Sequence, residues 1–96
     1  MKVFAIATAK PNLTPDMLQQ HMPAEVPATL QHYLDGMVEQ FWFREKSGPI
    51  FLMNVKSVEE AEASLAELPL VANGLMTYEI FQVTPLRPLG RLIQDT

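Results

Sequence analysis

The sequence predicts an α+β domain of ferredoxin-like βαββαβ order, a four-stranded antiparallel sheet with both helices on one face. Three observations carry this reading. Runs at residues 2–9, 37–46, 50–55 and 75–83 are rich in aromatic and β-branched residues. Two stretches with helical spacing and capping signals separate the first run from the second and the third from the fourth. The strands are apolar on both sides, whereas a sheet wetted on one face alternates apolar with polar residues.

Taken in order, Val3-Phe4-Ala5-Ile6-Ala7 suits a strand buried on both faces, and Lys10-Pro11-Asn12 ends it. Thr14 is an N-cap with Pro15 at the first helical position, and Leu13 and Leu18 are spaced as a hydrophobic staple. Apolar positions step through Leu18, Met22, Val26, Leu30 and Tyr33 to a stop at Asp35-Gly36. Pro23 and Pro27 each lack a donor and crowd the carbonyl four residues back, so two helical pieces are expected, broken near Met22. The aromatic run from Met37 to Lys46 and the run Ile50 to Val55 flank Ser47-Gly48-Pro49 and read as a hairpin. Ser57 and Glu60 form a capping box for a second helix, with Val58, Ala61, Leu65 and Leu68 on its apolar face and Pro69 ending it. Asn73-Gly74 turns the chain into the last strand, Leu75 to Val83. The tail, 84–96, carries Leu86, Leu89, Leu92 and Ile93 and is expected to pack on a partner subunit.

The 96 residues suit one domain spanning 1–96, in which folding alone buries only about 60–65% of the chain's surface. Hydrophobic residues make up 48% and charged residues 19%, a low charge content that points, with the two-sided strands, to a homodimer or higher homo-oligomer. Seven basic against eleven acidic side chains, net −4 with the basic ones scattered, argue against a nucleic-acid partner. No cysteine is present, which excludes thiolate catalysis, disulfides and iron–sulfur clusters. The first apolar run is too short and too near the N-terminus for a signal peptide, and no stretch reaches the roughly 18 apolar residues of a membrane span. A cytoplasmic protein without a membrane partner is expected.

Asp35-Gly36 before the aromatic strand Phe41-Trp42-Phe43-Arg44, Ser57-Val58-Glu59 opening the second helix, Leu68-Pro69-Leu70, and Glu79 in the last strand together resemble the muconolactone isomerase-like and YciI-like members of the dimeric α+β barrel superfamily, over residues 2–93. The resemblance implies two sheets facing each other in a dimeric barrel, with a pocket between sheet and helices in each subunit. It also implies cofactor-independent proton transfer, since muconolactone isomerases shift a proton within an unsaturated lactone without metal or cofactor. One position departs from that pattern. The His expected ahead of a Leu-Trp pair stands as Gln40, before Phe41-Trp42, and the specific lactone isomerisation does not follow from the resemblance.

Candidate chemistry is sparse. His21 and Glu25 are four residues apart and share a face on an unbroken helix, which suits an acid/base pair beside the apolar stripe. An ordinary boundary histidine is the plainer reading. His32 is a further 11 positions on, about 16 Å along a helix, too far to share a metal with His21, so no metal site is expected. Gln40, Trp42 and Arg44 alternate onto one strand face, where an amide, an indole and a guanidinium would orient a small planar anion. The alternative is that Trp42 is dimer core and Arg44 pairs with a glutamate at the strand end. Glu79, between Tyr78 and Ile80, is either a pocket carboxylate or a partner of Arg44 or Lys46. No phosphate loop, nucleophile elbow or dinucleotide fingerprint occurs. Two classes are left: a cofactor-free isomerase or lyase acting on a small unsaturated acid or lactone, and a non-catalytic ligand-binding or assembly module.

Overall fold

The computed structural model describes residues 1–45 and 47–84; Lys46 and the tail expected to dock on a partner lie outside them, apart from Thr84. The chain runs β1 (Lys2–Ala9), α1 (Pro15–Leu34), β2 (Val38–Arg44), β3 (Gly48–Asn54), α2 (Val58–Ala66), α3 (Pro69–Ala72) and β4 (Met76–Val83). The strands form one sheet in the order β2-β3-β1-β4, with every neighbouring pair antiparallel. This is the ferredoxin-like α+β arrangement expected from the strand and helix signals.

Local chemistry accounts for the element ends. The Thr14 hydroxyl accepts the Met17 N–H and the Ser57 hydroxyl accepts the Glu60 N–H, each at 3.1 Å, so both predicted caps satisfy donors that their helices leave free. At the far end of α1, Gly36 takes φ +81°, its N–H bonds to Tyr33 O, and Met37 N–H bonds to His32 O. That paired closure requires a left-handed residue, which is why a glycine stands there.

The expected break in α1 does not occur. One helix of 20 residues runs through Pro23 and Pro27. The prolines are four residues apart and both exposed, so the carbonyls of Gln19 and Pro23 that lose their helical donors lie on the solvent side, where water serves them. Pro69, expected only to end α2, also occupies the first position of the short helix α3.

Alternation sorts the sheet into two faces. Val3, Ala5, Ala7, Phe51 and Met53 point to the helices and are buried, joined by Val38, Ala61, Leu65 and Leu68. Phe4, Ile6, Ile50 and Leu52 point the other way and stay half-buried, and Trp42 and Phe81 on that face are 46% and 48% exposed. No element among the described residues covers this outer face. A bulge at Glu39 breaks the β2–β3 register between Val38, opposite Met53, and Gln40, opposite Leu52. The extra residue lets Val38 enter the core while Gln40 and Trp42 turn outward.

Candidate functional site

α1 leans on α3 and β2 instead of lying flat across the sheet. Its one buried residue is Glu25; its apolar stripe fronts a cavity of about 500 Å³ between helix and sheet, a size suited to a small organic ligand. Leu18, Met22, Val26 and Leu30 form the helix wall and Phe41, Phe43, Phe51 and Met76 the sheet wall. This explains why these four α1 side chains are more than a third exposed in a helix that faces inward.

Glu25 is the one titratable side chain among the described lining residues. It is 6% exposed, and its Oε1 accepts the backbone N–H of Leu70 at 2.9 Å. Leu70 follows Pro69 as the second residue of α3, so the carboxylate serves the first backbone donor that helix presents. Burial among apolar walls pushes the Glu25 pKa above the ordinary carboxylate value, opposed by the Leu70 hydrogen bond and by the charge of His21. The hydroxyl of Thr29, also in the lining, donates to Glu25 O at 3.0 Å and is spent within the helix. The walls around the carboxylate are otherwise almost wholly hydrocarbon.

The sequence-derived candidates divide between the two faces. The unbroken helix puts His21 one turn before Glu25, half-buried and electrostatically coupled to it, though outside the lining. Trp42 contributes to the cavity wall, while its indole lies 6.1 Å from the Phe4 ring on the outer side of the sheet. Gln40, Arg44 and Glu79 are not in the lining. Gln40 stands opposite Leu52 and Glu79 opposite Ile6, both among the outward-facing residues. Glu79 is exposed and makes no ion pair with a described residue. Arg44 donates from Nη2 to Ala7 O at 2.7 Å. Continuing the β1–β3 register past Ile6↔Ile50 places Pro49 beside Ala7, and proline has no N–H to give, so the guanidinium supplies the missing donor. The amide, indole and guanidinium therefore do not converge on the cavity. The small anion expected from Arg44 also finds no cationic side chain in the described lining.

His32 serves a different neighbour from His21, its Nε2 lying 3.7 Å from Glu67 Oε2. Among the described residues no cluster of three His, Asp or Glu side chains could hold a metal ion, and no helix is long and apolar enough to cross a membrane. Sequence reasoning missed Tyr78. Its ring stacks on Phe51 at 5.5 Å, its hydroxyl is buried with no hydrogen-bond partner among the described residues, and burial followed by the Glu25 charge strongly raises its pKa. The signal was present in the alternation of Met76, Tyr78 and Ile80 against Thr77 and Glu79, which faces Tyr78 inward.

No family model matches the sequence, and no curated protein matches it. Among solved structures the chain is similar to the 5-chloro-2-hydroxyhydroquinone dehydrochlorinase of Burkholderia phenoliruptrix AC1100, solved in complex with 2,5-dihydroxybenzoquinone. The TM-score is 0.72 over 88% of this chain and 94% of that one, at 12% identity. A likeness at that identity is one of fold alone.

Proposed function

We propose that the chain is a cofactor-independent enzyme, an isomerase or lyase, that binds a small unsaturated ring compound between α1 and the sheet and moves a proton through Glu25. The observation that carries this is a single buried carboxylate, its pKa raised, fronting an otherwise apolar cavity of about 500 Å³. A carboxylate in such a setting is a stronger base than one in water and sits closer to the operating pH of a general base. In the proposed step the Glu25 carboxylate takes a proton from a carbon next to a carbonyl. The C–H bonding pair moves into the conjugated system, and the protonated Glu25 returns the proton at its far end. When the substrate carries a group that departs as an anion, its expulsion with the bonding pair replaces the second protonation, and Glu25 then releases its proton to water. No oxidant or reductant is needed.

The lining carries no described cation to hold a substrate carboxylate, so the proposed substrate is a neutral lactone, cyclic enone or quinone and not the free acid. The fold shared with a dehydrochlorinase bound to a dihydroxybenzoquinone supports that choice of ring. A second copy is proposed to cover the outer sheet face, as in the dimeric barrels the sequence resembles.

Deuterium exchange into neutral lactones and cyclic enones, followed by proton NMR in heavy water, tests the reading. The protein should catalyse exchange at a carbon next to the carbonyl, and Glu25→Gln should lower the rate by roughly 10²–10⁴-fold while ligand-induced thermal stabilisation persists. A non-catalytic binding module is the second reading, favoured by the use of Glu25 Oε1 to cap α3. It predicts stabilisation by the same compounds with no exchange in either protein.

A further inference from the structure

Tyr78 lies on β4 opposite Ala7, on the helix-covered side of the sheet, and packs against both clusters of buried residues. A buried hydroxyl without a partner is uncommon, because each such group forfeits its hydrogen bonds to water. Its stacking partner Phe51 is part of the cavity wall, and one cluster it packs against contains Leu70, the hydrogen-bond partner of Glu25, whose charge acts on the phenol. Glu25 in turn has one oxygen engaged by Leu70 and no described hydrogen bond to the other. A donor lacking an acceptor and a carboxylate with a spare oxygen therefore share one interior region. The pairing has chemical consequences because burial and the neighbouring negative charge both favour the protonated phenol, and a protonated phenol is a hydrogen-bond donor.

We propose that Tyr78 is the positioning residue of the site, its hydroxyl donating through one bridging water to the free oxygen of Glu25 and thereby stabilising the ionised carboxylate. Among the described residues, the other groups that act on Glu25 are His21 and the Leu70 amide. His21 acts from the preceding turn of α1, α3 supplies the Leu70 amide, and the lining residues of β2 and β3 bring no titratable side chain. Tyr78 is then what keeps Glu25 basic yet ionised once apolar walls exclude water. This inference deepens the proposed role of Glu25, but its test uses no substrate.

The experiment is a carboxyl carbon-13 NMR titration of the intact protein, with the Glu25 resonance assigned by its loss in Glu25→Gln. Tyr78→Phe removes only the hydroxyl, and the Glu25 midpoint should move to higher pH because the anion loses a donor. An unmoved or lowered midpoint in folded Tyr78→Phe overturns the proposal. Should that variant not fold, Glu25→Gln carries the test, since glutamine still accepts from Leu70. Phenolate absorbance, read in a Tyr33→Phe background so that Tyr78 is the one tyrosine, should then titrate at lower pH than with Glu25 present. An unchanged phenolate midpoint would be fatal to the pairing. Deuterium exchange failing with every compound would remove the proton-transfer reading yet leave these midpoints, and the inference, standing.

Discussion

The Glu25 carboxylate, midway along α1, accepts the backbone N–H of Leu70, 45 positions further on, at 2.9 Å. One hydrogen bond thus ties the helix that walls the cavity to the short helix that closes its floor, and holds the only described ionisable lining group in place. Glu25→Ala should cost about 1–3 kcal/mol in chemical denaturation, the cost of stranding a buried amide donor. Glu25→Gln keeps an acceptor and should lie close to the parent protein. Equal losses in the two variants would show that the carboxyl oxygen is not what stabilises α3.

Charge on Glu25 also makes stability depend on pH, and the sign follows from the raised pKa. Folding holds the proton more tightly than the ordinary value of 4.5, so the associated stability is full below that value and is lost as pH rises through the folded midpoint. Glu25→Gln should abolish this decline, flattening the plot of stability against pH in that window. Catalysis runs the opposite way, because the base must be ionised. Turnover should fall on the acid side at a pH above the ordinary carboxylate range, and Glu25→Asp, which withdraws the carboxylate by one methylene, should lose rate at every pH.

Arg44 fills a hydrogen-bonding gap beside Pro49, and its Nε is buried with no partner among the described residues. Arg44→Ala should therefore lower stability by about 1–3 kcal/mol, the scale for a charged donor on a buried carbonyl. Isothermal calorimetry with a neutral cavity ligand should give unchanged affinity. A loss of affinity without a loss of stability would return Arg44 to the binding site.

The outer face, with Trp42 and Phe81 each nearly half exposed beside Phe4, Ile6, Ile50 and Leu52, exceeds the scattered apolar exposure of an ordinary surface. Light scattering should report a dimer or larger assembly at micromolar concentration. Phe81→Lys should shift it toward monomer while leaving α1 and the cavity intact. Ending the chain after Val83 removes Leu86, Leu89, Leu92 and Ile93 and should weaken the assembly or lower its melting temperature. A native protein that is monomeric at every concentration would contradict the assembly and its disruption by Phe81→Lys.

Pro23 interrupts a helix that forms regardless, and it does so on an exposed side. Pro23→Ala restores the N–H aimed at Gln19 O without altering packing, and should raise stability by about 1–3 kcal/mol, less whatever the unfolded chain gains in freedom. Thermal melting reads this directly, and a destabilised variant would show that α1 needs the proline's geometry.

Local signals decided much of this protein from the sequence alone. Thr14, Ser57, Gly36 and the Asn73-Gly74 turn act on backbone groups one to five residues away, so their effect is legible without the fold, and four strand runs with two capped stripes leave few topologies open. The outward alternation of Gln40 and Trp42 was legible for the same reason. The tertiary structure decided the rest because those features depend on groups distant in the chain. Pro23 and Pro27 look like breakers until the helix is seen to turn them to water. Arg44 looks like a ligand group until Ala7, 37 positions away, is seen to need its donor. Glu25 and Tyr78 share an interior region only because α1 stands off the sheet above Phe51. A carboxylate's basicity is set by the walls and donors around it, and no spacing within one helix encodes what the opposite strand brings to meet it.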